Sequence, residues 1–260
     1  MLTFLGYTLV FLALLVSLYL VIRPAASSQP FLRTAAMGTQ SSPFLLLSLS
    51  FLLEATSLDL VSSYVGEGLP LLYRISAVWG SRSGPLLMWA SMMSVIAWLM
   101  SRDRTTDGAT IRIMHLWTFL LLLISAGLRP FSPAIPGSAG EISPLLQTDL
   151  MVIHPPVVFV YYSLCLATAS IAVSGLIRSR PSNETHASMI PWARYSFLAG
   201  TIGIGLGGLW AYTVLDWGGI GHGTQSRQDH FSHGSHFWLY FTQELGQRHP
   251  IPMHYRPRSE

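Results

Sequence analysis

His154 is the side chain in this sequence best placed to do chemistry. It sits in the string Leu150-Met151-Val152-Ile153-His154-Pro155-Pro156, at the start of a long apolar run. Proline fits the first turn of a helix, where its missing N–H has no partner to lose. The tandem prolines therefore predict a His at or just before a helix end, held in a fixed direction. A neutral imidazole so held can ligate a metal or serve as an axial ligand to haem iron. The same placement also suits an interfacial His bonded to a loop carbonyl, and spacing alone leaves both readings open.

Other ionisable groups are few. Glu54 and Asp59 fall in or beside an apolar run, where a carboxylate needs a partner or a task. Pairing with Arg74 or Arg82 is the reading adopted for them. His115, beside Arg112, reads as an interfacial residue. There is no nucleophile elbow, phosphate loop, zinc spacing or carboxylate pair. The glycines from Gly200 to Gly208 lie inside an apolar run, where small residues serve close helix packing and not dinucleotide binding.

The elements that must position these residues follow from composition. Only 10% of the 260 residues are charged, half are hydrophobic, and Cys165 is the single cysteine. Soluble domains carry about 25% charged residues, so a soluble fold, disorder and a disulfide scaffold are all excluded. The net charge of +3 comes from 15 basic residues, all Arg. They cluster in short loops between apolar runs, the pattern of a multi-pass membrane protein and not of nucleic-acid binding. Six runs are expected to span a bilayer: Leu2–Ile22, Pro43–Val65, Pro85–Met100, Ile113–Gly127, Met151–Ile177 and Tyr195–Leu215. The fold class is thus all-α, a polytopic helical membrane bundle, with the first run retained as a helix. Arginines concentrate after the first, third and fifth runs, which places those loops inside and both termini outside. The outer loops then hold Trp79, Trp89, Pro130-Phe131 and Trp217. An aromatic belt accounts for them, and so does a surface for a flat apolar ligand.

Three strings carry a resemblance. The first is Leu69-Pro70, Tyr73, Ala77, Trp79-Gly80, Gly84, Leu86-Leu87 and Trp89. The second is Ser143-Pro144-Leu145-Leu146-Gln147, Asp149 and Ile153-His154-Pro155-Pro156. The third is Leu206-Gly207, Trp210-Ala211-Tyr212, Leu215 and Trp217-Gly218-Gly219. In this order the chain resembles the cytochrome c maturation F (CcmF) family of haem lyase subunits, from near residue 1 to Gly219.

The resemblance implies a membrane subunit of cytochrome c-type biogenesis. It would receive haem b at the outer face of an energy-transducing membrane, most simply a prokaryotic plasma membrane, with an organelle inner membrane as the alternative. There it would take part in joining haem to apocytochrome c. His154 matches the family's axial haem ligand. Trp79, Trp89, Trp210 and Trp217 are the aromatics expected on the haem side. The implied partners are a haem chaperone, thiol-handling maturation proteins, apocytochrome c and a separately encoded C-terminal part. No catalytic residue and no metal beyond haem iron is expected. A haem carrier that forms no bonds and a structural subunit are the competing classes.

After Gly219 the chain departs from the family. A polar segment holds six of the nine histidines. A metal site is one reading of them. Loss of one base near the Gly219 codon lets Ile220 to Gln228 read as Tyr-Trp-Ala-Trp-Asp-Pro-Val-Glu-Thr, the signature due at that place. Residues 1–219 are therefore expected to form the membrane domain. Residues 220–260 are expected to be a frameshifted, disordered tail.

Overall fold

The computed structural model describes residues 1–23, 29–66, 68–103, 106–137, 139–140 and 142–214. Eight α-helices follow in order: α1 (Leu2–Ile22), α2 (Pro30–Leu52), α3 (Asp59–Tyr64), α4 (Leu71–Gly80), α5 (Gly84–Arg102), α6 (Gly108–Gly127), α7 (Asp149–Ile177) and α8 (Ser182–Thr213). No strand occurs among the described residues, only an isolated bridge between Leu58 and Pro133. The helical membrane bundle is therefore the observed architecture. The chain divides into Met1–Gly207 and Gly208–Glu260, and the second unit is described only as far as Val214. Trp217 and the whole 220–260 segment, with the frameshift reading attached to it, lie outside the described residues.

Among the described residues, four helices, α1, α5, α6 and α7, are long and apolar enough to cross a membrane. α2 and α8 have the length, with 23 and 32 residues. Arg33, Gln40 and the serines of α2, and the glycines of α8, hold their hydropathy lower.

The second expected span is corrected. The helix does not run from Pro43 to Val65: it starts at Pro30, carries Pro43 in its interior and ends at Leu52. Its end is a left-handed cap with Glu54 at φ 50°, and the Ala55 N–H donates to the Ser50 carbonyl at 2.9 Å. Glycine usually takes this position, so the sequence carried no stop signal. Glu54 and Asp59 consequently leave the span. Glu54 pairs with Arg74, and Asp59 with Arg82 at 3.7 Å, as the pairing reading required.

Within Met1–Gly207, α1, α2, α5, α6 and α7 pack side by side, and successive long helices run in opposite directions. Their buried faces form one core that includes Phe51, Leu87, Met93, Met114 and Leu122. Some buried hydroxyls are satisfied inside their own helices. Ser17, Ser163 and Ser170 donate to the carbonyls four residues earlier, at 2.6–2.7 Å. Gln40 is different: its Nε2 donates to Ser17 Oγ on α1 at 2.9 Å and meets His115 Nδ1 on α6 at 3.2 Å. His115 is 6% exposed. It is a core residue and not the interfacial one expected, because a neighbouring helix supplies the amide that its ring needs.

One end of the bundle is capped by short elements. The 128–148 connection runs across α3, with Asp59 N–H donating to the Ser132 carbonyl, Ala134 N–H to Ser57 and Ile142 N–H to Tyr64, all at 2.9–3.1 Å. Phe131 is fully buried and its ring fills the space that a Cβ on Gly6 of α1 would need. This cap sets where α7 begins.

Candidate functional site

The six residues 144–149 prepare the start of α7. Pro144–Leu146 form a 3₁₀ turn, and Gln147 Nε2 donates to the Ile142 carbonyl at 3.2 Å. Thr148 caps the helix, its Oγ1 accepting from Met151 N–H at 3.3 Å. Asp149, in the first turn, accepts from the Tyr73 hydroxyl at 3.5 Å. A carboxylate there also suits the positive end of the helix.

α7 therefore begins at Asp149 and not at the prolines. His154 is inside the helix, not before its end as expected, and Pro155 and Pro156 are interior prolines. An interior proline withholds the N–H that the carbonyl four residues back would receive. For Pro155 that carbonyl belongs to Met151. The structure supplies a substitute donor: the Trp79 indole Nε1 on α4 bonds the Met151 carbonyl at 2.7 Å. The indole thus ties α4 to α7 one turn before His154. Sequence reasoning grouped Trp79 with the haem-side aromatics and missed this bond. A signal was present, since a proline inside a helix always asks which group replaces its N–H.

His154 is half-buried and faces α8. A Cβ on Gly207 would come within 2.9 Å of its Cε1. The ring also has the backbone of Gly203 as a hydrogen-bond partner. Gly200 and Gly203 let Tyr161 and Val158 of α7 approach in the same way. The glycines are thus the floor on which the α7 side chains rest. A metal-ligating His commonly donates its other ring N–H to a backbone carbonyl or carboxylate.

Trp89 of α5 lies elsewhere around α7. Its ring is 5.7 Å from Phe159 and 5.6 Å from Tyr162. At about 100° per residue, those positions lie roughly 80–140° around the helix from His154. Trp89 Nε1 is buried without a hydrogen-bond partner among the described residues. Trp210 is half-buried near the end of α8, in the second unit of the chain. No group of three or more His, Cys, Asp or Glu able to hold a metal occurs among the described residues.

The haem expected from sequence can be tested against these residues. A single imidazole and a glycine whose Cβ would collide with it are compatible with a group ligated at one position, and the Trp89 N–H lies on another side of α7. They do not fit a metal ion held by several side chains.

Comparison with known proteins gives the family. Residues 79–220 match the family described as cytochrome C assembly protein. The cytochrome c-type biogenesis protein NrfE of Haemophilus influenzae is 30% identical over 184 residues, covering 67% of this chain and 29% of that protein. CcmF of Escherichia coli is 30% identical over 206 residues, 76% of this chain and 32% of its own. CycK of Rhizobium meliloti is 34% identical over 161 residues, 58% and 23% respectively. The chain thus spans about a third or less of the length of these relatives. No solved structure matches it. The match extends from α4 past the end of α8 and takes in Trp79, the cap before α7, His154 and its glycine floor, so this chain belongs to the cytochrome c assembly protein family.

Proposed function

We propose that this protein works in cytochrome c-type biogenesis as the haem-holding N-terminal portion of a haem lyase assembly, with His154 as an axial ligand. The observation that carries this is the fixation of His154 between Gly203 and Gly207 at the capped end of α7. Haem b would supply the iron that an imidazole ligates and the porphyrin to which apocytochrome thiols are joined. The residues of this chain do the holding. Gly207 keeps the imidazole in place, and the Gly203 backbone orients it. Trp79 acts through Met151 to fix the turn below. Trp89, Phe159 and Tyr162 offer an aromatic face with one unused N–H donor. Trp210 and Trp217 enter this reading only through the resemblance of their sequence string.

The capped end faces outward from a prokaryotic plasma membrane in this reading. Its supporting observation is the distribution of arginine. Arg74, Arg82 and Arg129 lie toward the capped end, and the first two are taken up by Glu54 and Asp59. Arg23, Arg33, Arg102, Arg112, Arg178, Arg180 and Arg194 lie toward the other. A haem chaperone, thiol-handling proteins and apocytochrome c are the proposed partners.

The test is spectroscopic. Haem titrated into the purified protein should give a ligated-iron absorbance band that His154→Gly removes and added imidazole restores. Identical haem content and spectra in wild type, His154→Ala and His154→Gly would refute ligation.

A further inference from the structure

At the end of the bundle opposite the cap lies a cavity of about 450 Å³ among the ends of α6, α7 and α8. One wall is a fixed ion pair. Asp107 caps α6 by accepting from Thr110 N–H at 2.7 Å. It also accepts from Ser174 Oγ and from Arg180 Nη1, both at 2.8 Å. The opposite wall belongs to α8. There Trp192 and Tyr195 stand nearly edge to face, 6.4 Å apart with 75° between their planes. Pro191 lies in the same wall with Ala187. Because proline has no N–H, the Ala187 carbonyl lacks its helical donor from residue 191.

These features demand different things of a ligand. An aromatic pair in one wall with a carboxylate in the opposite wall suits a cation. A carbonyl without its helical partner asks for a hydrogen-bond donor, so the cation must carry N–H. Arg180 commits one nitrogen to Asp107 and keeps further N–H groups for an anion. A small group carrying an ammonium and an anion close together satisfies all three. The site lies where spans begin and end, at Gly108 and Ile177, which is headgroup depth if the helices cross a bilayer.

We propose that this cavity seats the phosphoethanolamine headgroup of a membrane phospholipid, with Arg180 on the phosphate and Asp107, the Ala187 carbonyl, Trp192 and Tyr195 around the ammonium. A choline headgroup has no N–H for the carbonyl. A glycerol headgroup has no cation for the rings, and its net negative charge meets the carboxylate of Asp107. The proposal rests on the membrane reading of the helices and is independent of haem.

Native mass spectrometry of the full 260-residue chain tests it. The chain is offered equal amounts of phosphatidylethanolamine, phosphatidylcholine and phosphatidylglycerol with the same acyl chains. Phosphatidylethanolamine should be retained about tenfold over the other two, the discrimination expected for one charge-assisted hydrogen bond. Tyr195→Leu, at a residue 60% exposed and outside the ion pair, should lower that preference severalfold without lowering the melting temperature. Arg180→Gln should weaken retention of all three lipids. Equal retention, a preference for phosphatidylglycerol, or unchanged selectivity in Tyr195→Leu would overturn the proposal. So would binding of soluble phosphoethanolamine with no retention of any of the three lipids, which would assign the cavity to a small molecule.

Discussion

The substitution of an indole N–H for the N–H that Pro155 lacks can be measured as a coupling between two residues. In Trp79→Phe the Met151 carbonyl, on a residue only 5% exposed, has no donor. A buried acceptor left unsatisfied costs about 1–3 kcal/mol. Side-chain hydrogen bonds between membrane helices average about 0.6 kcal/mol and reach about 1.7 kcal/mol. The 2.7 Å distance and the lack of a helical alternative put this bond toward the upper figure. Pro155→Ala gives residue 155 an N–H, so the Met151 carbonyl recovers an ordinary helical partner. Trp79→Phe should then cost about 1 kcal/mol less in the Pro155→Ala background than in wild type. Loss of indole packing is common to both backgrounds and cancels. The assay is reversible unfolding in detergent of wild type, the two single variants and the double variant. A coupling below about 0.3–0.5 kcal/mol, the ordinary error of additivity, would refute the reasoning.

Two further expectations follow from the same contacts. Gly207→Ala places a Cβ 2.9 Å from His154 Cε1, whereas Gly205→Ala meets nothing within 4 Å. Overpacking of about 1–3 kcal/mol opposes a helix-propensity gain of about 1 kcal/mol. Gly207→Ala should therefore melt no higher than wild type and alter the haem spectrum, and Gly205→Ala should melt higher and leave the spectrum unchanged. Equal spectra in the two variants would remove His154 from the haem site. For Asp107, burial pushes the carboxyl up, but the hydrogen bonds from Thr110 and Ser174 and the Arg180 guanidinium outweigh it and hold it below 3.8. A lowered folded-state pKa means the stabilisation is full at neutral pH, fades below about 4, and is lost through the folded value. Asn caps as well as Asp, so Asp107→Asn should lose only the charge facing Arg180 and be less stable by about 1 kcal/mol at pH 7, with the difference shrinking at acid pH. A constant difference across that range would sink the argument.

Much of the fold was legible because lipid-facing helices announce themselves by apolar runs, as Leu2–Ile22 and Asp149–Ile177 do. The end of α2 was not. Glu54 occupies a left-handed position that glycine normally marks, and Phe51 to Leu53 continue the apolar run through the stop. The start of α7 was misplaced for a related reason. Helix rules assign prolines to a first turn, and only a donor 72 residues earlier makes them tolerable farther in. His154 itself was readable from its string. Its floor was only half readable: the glycines 200–208 announced close packing, but not which residues would come close. Asp107 and Arg180 gave no local signal, since each looks like a loop charge until α6 and α7 are side by side.

The contrast between self-satisfied hydroxyls and Gln40 constrains how the protein enters its membrane. Ser17, Ser163 and Ser170 bond within their own helices, so each helix crosses the translocation machinery with these groups already matched. Gln40 cannot. Its amide needs Ser17, made before it, and His115, made well after it. During synthesis α2 has its first partner at hand and waits for the second until α5 and α6 have emerged. A polar side chain in this position holds α2 beside α1 rather than releasing it alone into lipid. An ordered biogenesis is the expectation: α1 and α2 should leave the translocation channel as a pair, with the arrival of α6 closing the set.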